Sequence, residues 1–227
     1  MDARKLLKNI CKELEELNIF IGRDQFFDLL REHDLLVPKR RRHEAQTTYS
    51  HHHFHKYSNL LKDMEITGPK QAWVSDLTYV RTDDGFLYVS LITDAWSRKI
   101  VGYEGSNTLE ATGCLKAMRM AIKQLPPGAH PVHHSDRGIQ YCCGEYVQKL
   151  EKQGIAISMT EENHCYENAK AERANGILKQ EYGLGATFLC REHAIAALGE
   201  GVYLYNDRRP HMALNYRFPS EVHGTAA

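Results

Sequence analysis

The stretch 71-QAWVSDLTYVRT-82, followed by 86-FLYVSLIT-93 and 98-RKIVGYEGS-106, decides the fold. All three runs are rich in β-branched and aromatic residues, which suit a pleated, half-buried surface. Asp83, Asp84 and Gly85 between the first two are a hairpin signal, and Asp94 to Ser97 make a short turn before the third. Three consecutive strands joined by turns form an antiparallel meander. Downstream the period changes. Asn107 or Thr108 can cap a helix in which Leu115, Met118, Ile122 and Leu125 share one face, and Pro126-Pro127-Gly128 ends it. A short strand, 131-PVHHS-135, delivers Asp136 at its end. A helix near 141–153, a strand 155-IAISM-159, a helix near 167–182 and a final helix over about 191–206 follow. This order predicts an α/β fold: a mixed sheet that starts with the meander and carries helices on both faces.

Upstream of the meander, Leu6, Ile10, Leu14 and Leu17 recur at helical spacing over 4–17. After a break at Asn18–Gly22, a second amphipathic stretch runs from Arg23 to about Leu36, with Phe27 and Leu30 inward. The pair fits either the latter part of a helix-turn-helix or a helical hairpin docked elsewhere. Residues 38–69 lack sustained periodicity and read as a basic, His-rich linker. The expected organisation is a helical segment over 1–37, the linker over 38–69 and a main domain over 70–222.

The chain has 227 residues, 42% hydrophobic and 26% charged, enough for a sizeable core, which excludes collagen-like and largely disordered classes. No apolar run approaches the roughly 18 residues needed to span a bilayer. The start, MDARKLLKNICKELEEL, has no apolar signal segment, so a cytoplasmic protein without a membrane partner is expected. Cys11, Cys114, Cys142, Cys143, Cys165 and Cys190 form no CxxC pair and read as reduced residues, and neither they nor the histidines follow a usual zinc spacing.

Charge balances globally, at 29 Lys+Arg against 29 Asp+Glu. Its distribution is uneven: Lys39, Arg40, Arg41 and Arg42 form one block, with His51, His52, His53 and His55 close behind. Alone such a run is a solvated linker; it becomes a phosphate-binding candidate if other features point to DNA.

Three acids stand out. Asp76 lies inside a hydrophobic strand, where desolvation requires a partner unless its face looks to solvent. Asp136 sits at a strand's carboxyl end, where open α/β sheets expose functional side chains, although a turn role before Gly138 fits it equally. Glu172 belongs to a polar helical stripe with Asn168, Asn175 and Lys179, opposite Ala171, Ala174 and Leu178. In sequence, 59 residues separate Asp76 from Asp136 and 35 separate Asp136 from Glu172.

WVSDLTYV, DAWSRKIVGY, HHSDRGIQY, ENAKAERANGILKQE and YNDRRPH, in that order, closely resemble the integrase core of bacterial insertion-sequence transposases of the IS3 family, related to retroviral integrases. The resemblance covers about Gln71 to Ser220 and implies a ribonuclease-H-like fold. Residue by residue it implies a catalytic and metal-binding triad of Asp76, Asp136 and Glu172, with Lys179 at a basic position that contacts DNA near the reacting end. Asp94, Tyr205, Asn206, Arg209, Pro210 and His211 also match, with a turn or structural role equally open. Two stretches depart from the family pattern: Glu167-Asn168-Ala169 stands where many relatives have Asp-Asn-Ala, and Glu172-Arg173-Ala174-Asn175 where they have Glu-Ser-Phe-Phe. The start is short for the family, which implies a truncated chain or one partnered by a small upstream helix-turn-helix protein.

The implied activity is DNA strand cleavage followed by strand transfer, moving an insertion sequence. Three clustered carboxylates repel one another unless cations intervene, and two Mg²⁺ or Mn²⁺ ions answer that need with hard, oxygen-seeking charge. Water would first cut a strand and leave a 3′-hydroxyl, which would then attack a target phosphodiester. Double-stranded DNA, as element ends and as target, is the expected partner. Phosphate contacts are expected from Lys39, Arg40, Arg41, Arg42, Lys179, Arg208 and Arg209. A homo-oligomer on DNA and nucleoid association are family expectations. The competing reading is a decayed product that binds DNA or other transposase chains without catalysis.

Overall fold

A computed structural model describes residues 3–36, 49–50, 52–161 and 168–224. Two helices open the chain, α1 (Ala3–Glu16) and α2 (Arg23–Glu32), joined at Gly22 and closed on a small cluster of Leu6, Leu7, Ile10, Phe26 and Leu30. α2 stops short of the expected Leu36: Asp34 takes a left-handed φ of 54°, which ends a right-handed helix. The Lys8 ammonium lies 4.0 Å from the centre of the Tyr216 ring, so the pair touches the end of the main domain.

The meander forms as expected: β1 (Ala72–Thr82), β2 (Gly85–Asp94) and β3 (Ile100–Ser106) pair antiparallel. Thr82 faces Gly85 across the turn, and Gly85 adopts φ 109°, which only glycine takes readily. Next come α3 (Ala111–Ile122), β4 (Val132–Ser135), α4 (Ile139–Cys142), α5 (Gly144–Glu151) and β5 (Ala156–Met159). The chain continues with α6 (Ala169–Glu181), β6 (Thr187–Phe188), α7 (Arg191–Asp207), a 3-10 turn (Met212–Leu214) and α8 (Pro219–Gly224). The six-stranded sheet runs β3-β2-β1-β4-β5, with β4 and β5 parallel to β1 and β6 paired beside the far end of β1. Among the described residues no helix is long and apolar enough to cross a membrane.

Each sheet face has its own core. On one, Trp73, Leu77, Ile92 and Val101 meet Leu115, Met118, Tyr146 and Leu150 of α3 and α5. On the other, Val80, Val89 and Leu91 meet Ile177, Leu178, Leu198 and Val202 of α6 and α7. Helices on both faces are thus realised. Gly102 permits the closest approach: a Cβ there would lie 2.2 Å from the Ala117 carbonyl oxygen of α3.

Several boundaries differ from expectation. Asn107 and Thr108 do not cap α3, which starts at Ala111 after an extended Glu110 that makes no side-chain cap. The helix expected near 141–153 is broken, because Cys143 is extended (ψ 149°) and interrupts the hydrogen-bond ladder before Gly144. Within the stretch expected as linker, Phe54 and Tyr57 pack on the first core, and Leu61, Met64 and Ile66 pack beside Ala72 and Val74.

Candidate active site

The site grows from β1. Strand alternation puts Val74 and Asp76 on one face, and the parallel ladder pairs Val74 with His134 of β4. Two residues further along each strand come Asp76 and Asp136, on that same face and beyond the ladder's end. Helix α6 crosses above. Ala171 packs against Ala72 and Val74, small side chains that let the helix lie close. Asn168 Nδ2 donates to the Ser75 carbonyl at 2.9 Å, Asn175 Nδ2 to Asp76 Oδ2 at 2.6 Å, and Lys179 Nζ to Thr78 Oγ1 at 2.6 Å. This face of the helix, at i, i+7 and i+11, is therefore registered on β1. Glu172 sits in the first turn of α6 between two of these anchors, with its side chain exposed.

Asp76 is half-buried. Its Oδ1 accepts the Leu77 N–H at 3.0 Å, while Asp136 Oδ1 accepts the Gly138 N–H at 2.9 Å. Burial pushes the Asp76 carboxyl up to about 7, and the negative charges of Asp136 and Glu172 add to the rise. The Asn175 and Leu77 hydrogen bonds oppose it without cancelling it. Asp76 therefore senses both other acids. Among the described residues, no group of three or more His, Cys, Asp or Glu is gathered closely enough to hold a metal ion as the side chains stand. The donor type, carboxylate oxygens, suits a hard divalent cation.

Lys179 is half-buried, with its ammonium 4.7 Å from the centre of the Tyr79 ring. Burial lowers its pKa; the Arg81 charge adds to this and Asp76 counters it. Beneath the site, His133 Nε2 lies 2.6 Å from Ser75 Oγ and 3.0 Å from the Tyr146 hydroxyl. Full burial lowers its pKa to about 3, so the ring is neutral and serves as scaffold.

The remaining motif residues hold the frame. Asp94 is buried at the β2–β3 turn, where Oδ1 accepts the Trp96 and Ser97 N–H groups and Oδ2 accepts the Lys70 N–H at 2.7 Å. Asn206 brackets Ile100, donating to its carbonyl at 2.9 Å and accepting its N–H at 2.8 Å. Tyr205 is buried with its ring edge-on to His211. One expectation is corrected: Arg209 is not a phosphate contact. Its side chain is 0% exposed, and Nε and Nη2 grip the two Glu181 carboxylate oxygens at 2.7 and 2.9 Å, leaving no face for DNA. Its neighbour Arg208 is exposed. Lys39, Arg40, Arg41, Arg42, His51 and Glu167 lie outside the described residues.

Sequence reasoning gave no separate role to Asn175 or to Thr78, although Asn175 stands three residues after Glu172, on the face that meets β1. Neither did it foresee that His52 reaches the Asp136 loop, its Nε2 standing 2.9 Å from the Arg137 carbonyl oxygen. Only the His cluster itself was visible there.

Residues 66–165 match a family model described as integrase core domain, and residues 153–219 match a second of the same description. The insertion element IS600 uncharacterized 31 kDa protein of Shigella sonnei is 39% identical over 217 residues, covering 94% of this chain and 79% of that protein. The transposase InsF for insertion sequence IS3A of Escherichia coli (strain K12) is 35% identical over 158 residues, covering 69% of this chain. The chain spans 55% of the InsF length. Among solved structures, the trimeric form of the HTLV-2 integrase catalytic core domain in complex with magnesium aligns with TM-score 0.55 at 18% identity, over 70% of this chain and 99% of that one. A simian T-cell lymphotropic virus intasome in complex with a PP2A regulatory subunit aligns with TM-score 0.60 at 13% identity, over 90% of this chain and 68% of that one. At these identities the likeness is one of fold, and the fold is the ribonuclease-H-like one that the family resemblance implies.

Proposed function

Because the chain belongs to the integrase-core family of IS3-type insertion-sequence transposases, we propose that it cuts DNA at element ends and joins them to a target. Asp76, Asp136 and Glu172 would hold divalent cations, Mg²⁺ or Mn²⁺, with two ions suiting three carboxylates. When bound, such ions offset the negative charge that builds on the reacting phosphate and on the attacking and leaving oxygens.

The chain's own residues do the positioning. Asn175 and the Leu77 N–H orient Asp76 so that its lone pairs are presented in a fixed direction. Lys179, beside Thr78 on the same helix face, offers a cation to a DNA phosphate near the acids. Water supplies the oxygen for the first cut, releasing a 3′-hydroxyl. That hydroxyl then displaces a 3′-oxygen from a target phosphodiester, so one bond forms as one breaks. Arg208 and the Lys39–Arg42 block would add sequence-independent phosphate contacts. Pairing two ends calls for an oligomer on DNA, in line with the trimeric and dimeric integrase cores among the solved structures. The helical pair at the start would assist DNA recognition, alone or with a small upstream helix-turn-helix protein.

The observation that carries this reading is the placement of Asp76 two residues past the β1–β4 ladder beside Asp136, tied by Asn175 at 2.6 Å to the helix whose first turn holds Glu172. The charges of both other acids act on the Asp76 carboxyl, which burial pushes up to about 7. Burial first, and then the charges of Asp136 and Glu172, disfavour the ionised carboxylate, and a cation relieves both. Retention of all three acids weighs against the binding-only alternative. Asp136→Asn is expected to abolish Mg²⁺-dependent cutting and joining of element-end oligonucleotides while leaving their binding nearly intact. Retained cutting would remove Asp136 from the mechanism.

A further inference from the structure

The loop that carries Asp136 lies beyond the sheet. The ladder between β1 and β4 ends at Val74–His134, and that between β4 and β5 at Ser135–Met159. Residues 136–139 must therefore find partners for their backbone elsewhere. Asp136 satisfies one itself by accepting the Gly138 N–H. Two more come from far upstream. His52 Nε2 lies 2.9 Å from the Arg137 carbonyl oxygen, 85 positions away, and the Ile139 N–H donates to the Tyr49 carbonyl at 3.2 Å. A carbonyl oxygen only accepts, so Nε2 carries the proton.

This upstream segment is anchored to the domain. Phe54 and Tyr57 pack on the core that includes Tyr141 and Cys142, two of the three residues that follow the loop. The His52 ring is tilted against Phe54 at 5.6 Å. Further along, the Met159 N–H donates to the Ser58 carbonyl, and the Leu60 N–H donates to Ser158 Oγ at 2.8 Å. The same Ser158 hydroxyl reaches His134 Nδ1 at 2.8 Å, two residues before Asp136. The segment thus touches the loop directly and reaches its upstream flank through Ser158, yet it precedes residue 66, where the match to the integrase-core family begins.

We propose that His52 is a positioning residue for Asp136: by tying the Arg137 carbonyl to the docked stretch 52–60, it holds the acid's loop in one conformation. The proposal rests on the reading of Asp136 as a catalytic acid. Without the His52 bond the loop samples other conformers, and only the fraction with Asp136 in place is competent. A neutral hydrogen bond of ordinary strength corresponds to a change of about fivefold in the ratio of held to released loop.

The full chain is compared as wild type, His52→Leu, His52→Gln and Asp136→Asn. Leucine fills much of the volume without a donor; glutamine retains an N–H at similar reach. Amide hydrogen exchange of the peptide covering 135–141 is expected to quicken by about two- to threefold in His52→Leu and to return near wild type in His52→Gln. Cutting at saturating DNA and Mg²⁺ should fall by about twofold in His52→Leu, the gain in exchange and the loss in rate multiplying to about five, with KM for DNA unchanged, and recover in His52→Gln. Unchanged exchange overturns the proposal, as does quickened exchange with undiminished cutting. If His52→Leu fails to fold, His52→Asn, whose shorter amide falls short of the carbonyl, takes its place under the same criteria. Cutting by Asp136→Asn would instead topple the catalytic reading, while the exchange data would still report whether His52 holds the loop.

Discussion

Replacing Asp76 by asparagine should make the metal-free protein more stable while destroying its activity. In the folded chain the carboxyl is displaced from 3.8 to about 7, by burial first and then by the charges of Asp136 and Glu172. At about 1.4 kcal/mol per pH unit this amounts to about 4 kcal/mol. The group is half-buried, and water with side-chain relaxation cuts the effect to about 2 kcal/mol. The sign follows from proton counting. Between about pH 4 and about pH 7 the folded chain keeps a proton that the unfolded chain has lost, so stability falls as pH rises through this window. Above it the charged group is a constant burden. The substituted amide would carry no charge and can still accept the Asn175 N–H through its own oxygen. Urea unfolding in EDTA should therefore give nearly equal stabilities for the two proteins at pH 4. At pH 8 the Asp76→Asn advantage should reach about 2 kcal/mol, or about 4–8 °C in Tm. Millimolar Mg²⁺ should raise the Tm of wild type and leave the variant almost unmoved. An Asp76→Asn protein no more stable than wild type at pH 8, or an advantage independent of pH, would refute the reasoning.

Three further outcomes are expected. Arg209→Ala strands Glu181 in a nearly sealed site and should cost about 3–5 kcal/mol in chemical unfolding, with most of the loss recovered in Arg209→Met/Glu181→Leu. A measured loss below about 1 kcal/mol would return Arg209 to the surface. Gly102→Ala sets a methyl against the Ala117 carbonyl and should destabilise by about 3 kcal/mol, seen as a depressed Tm; a neutral effect would mean that α3 can shift outward. Lys179→Gln should lower the slope of log affinity for DNA against log salt by about one, with the fold unchanged by circular dichroism; an identical slope would leave Lys179 bonded to Thr78 and away from phosphate.

The meander was legible because its alternation, aromatic content and turn residues are local properties, and Asp83-Asp84-Gly85 forms the turn it spells. Asp76 was legible as an acid placed where strand chemistry disfavours one. Glu172 and Asn175 shared a visible polar stripe, but which face of α6 meets β1 depends on Ala171 packing upon Ala72 and Val74, a contact between distant segments. The docking of His52 was hidden for the same reason: its partner lies 85 positions downstream, and a His-rich stretch without periodicity reads as linker. Arg209 misled because an Arg-Arg pair looks like a phosphate contact when its Glu181 partner is 28 positions away. The break at Cys143 carried a weak cue, Gly144, whose helix propensity is low.

The convergence of the three acids is tested most directly by diffraction from crystals grown with Mn²⁺, using the anomalous signal to locate the ion. The account predicts a peak about 2.1 Å from oxygens of both Asp76 and Asp136, with Glu172 turned inward to the same cluster. Manganese bound elsewhere, or touching only one of these carboxylates while the others point into separate solvent, would contradict it.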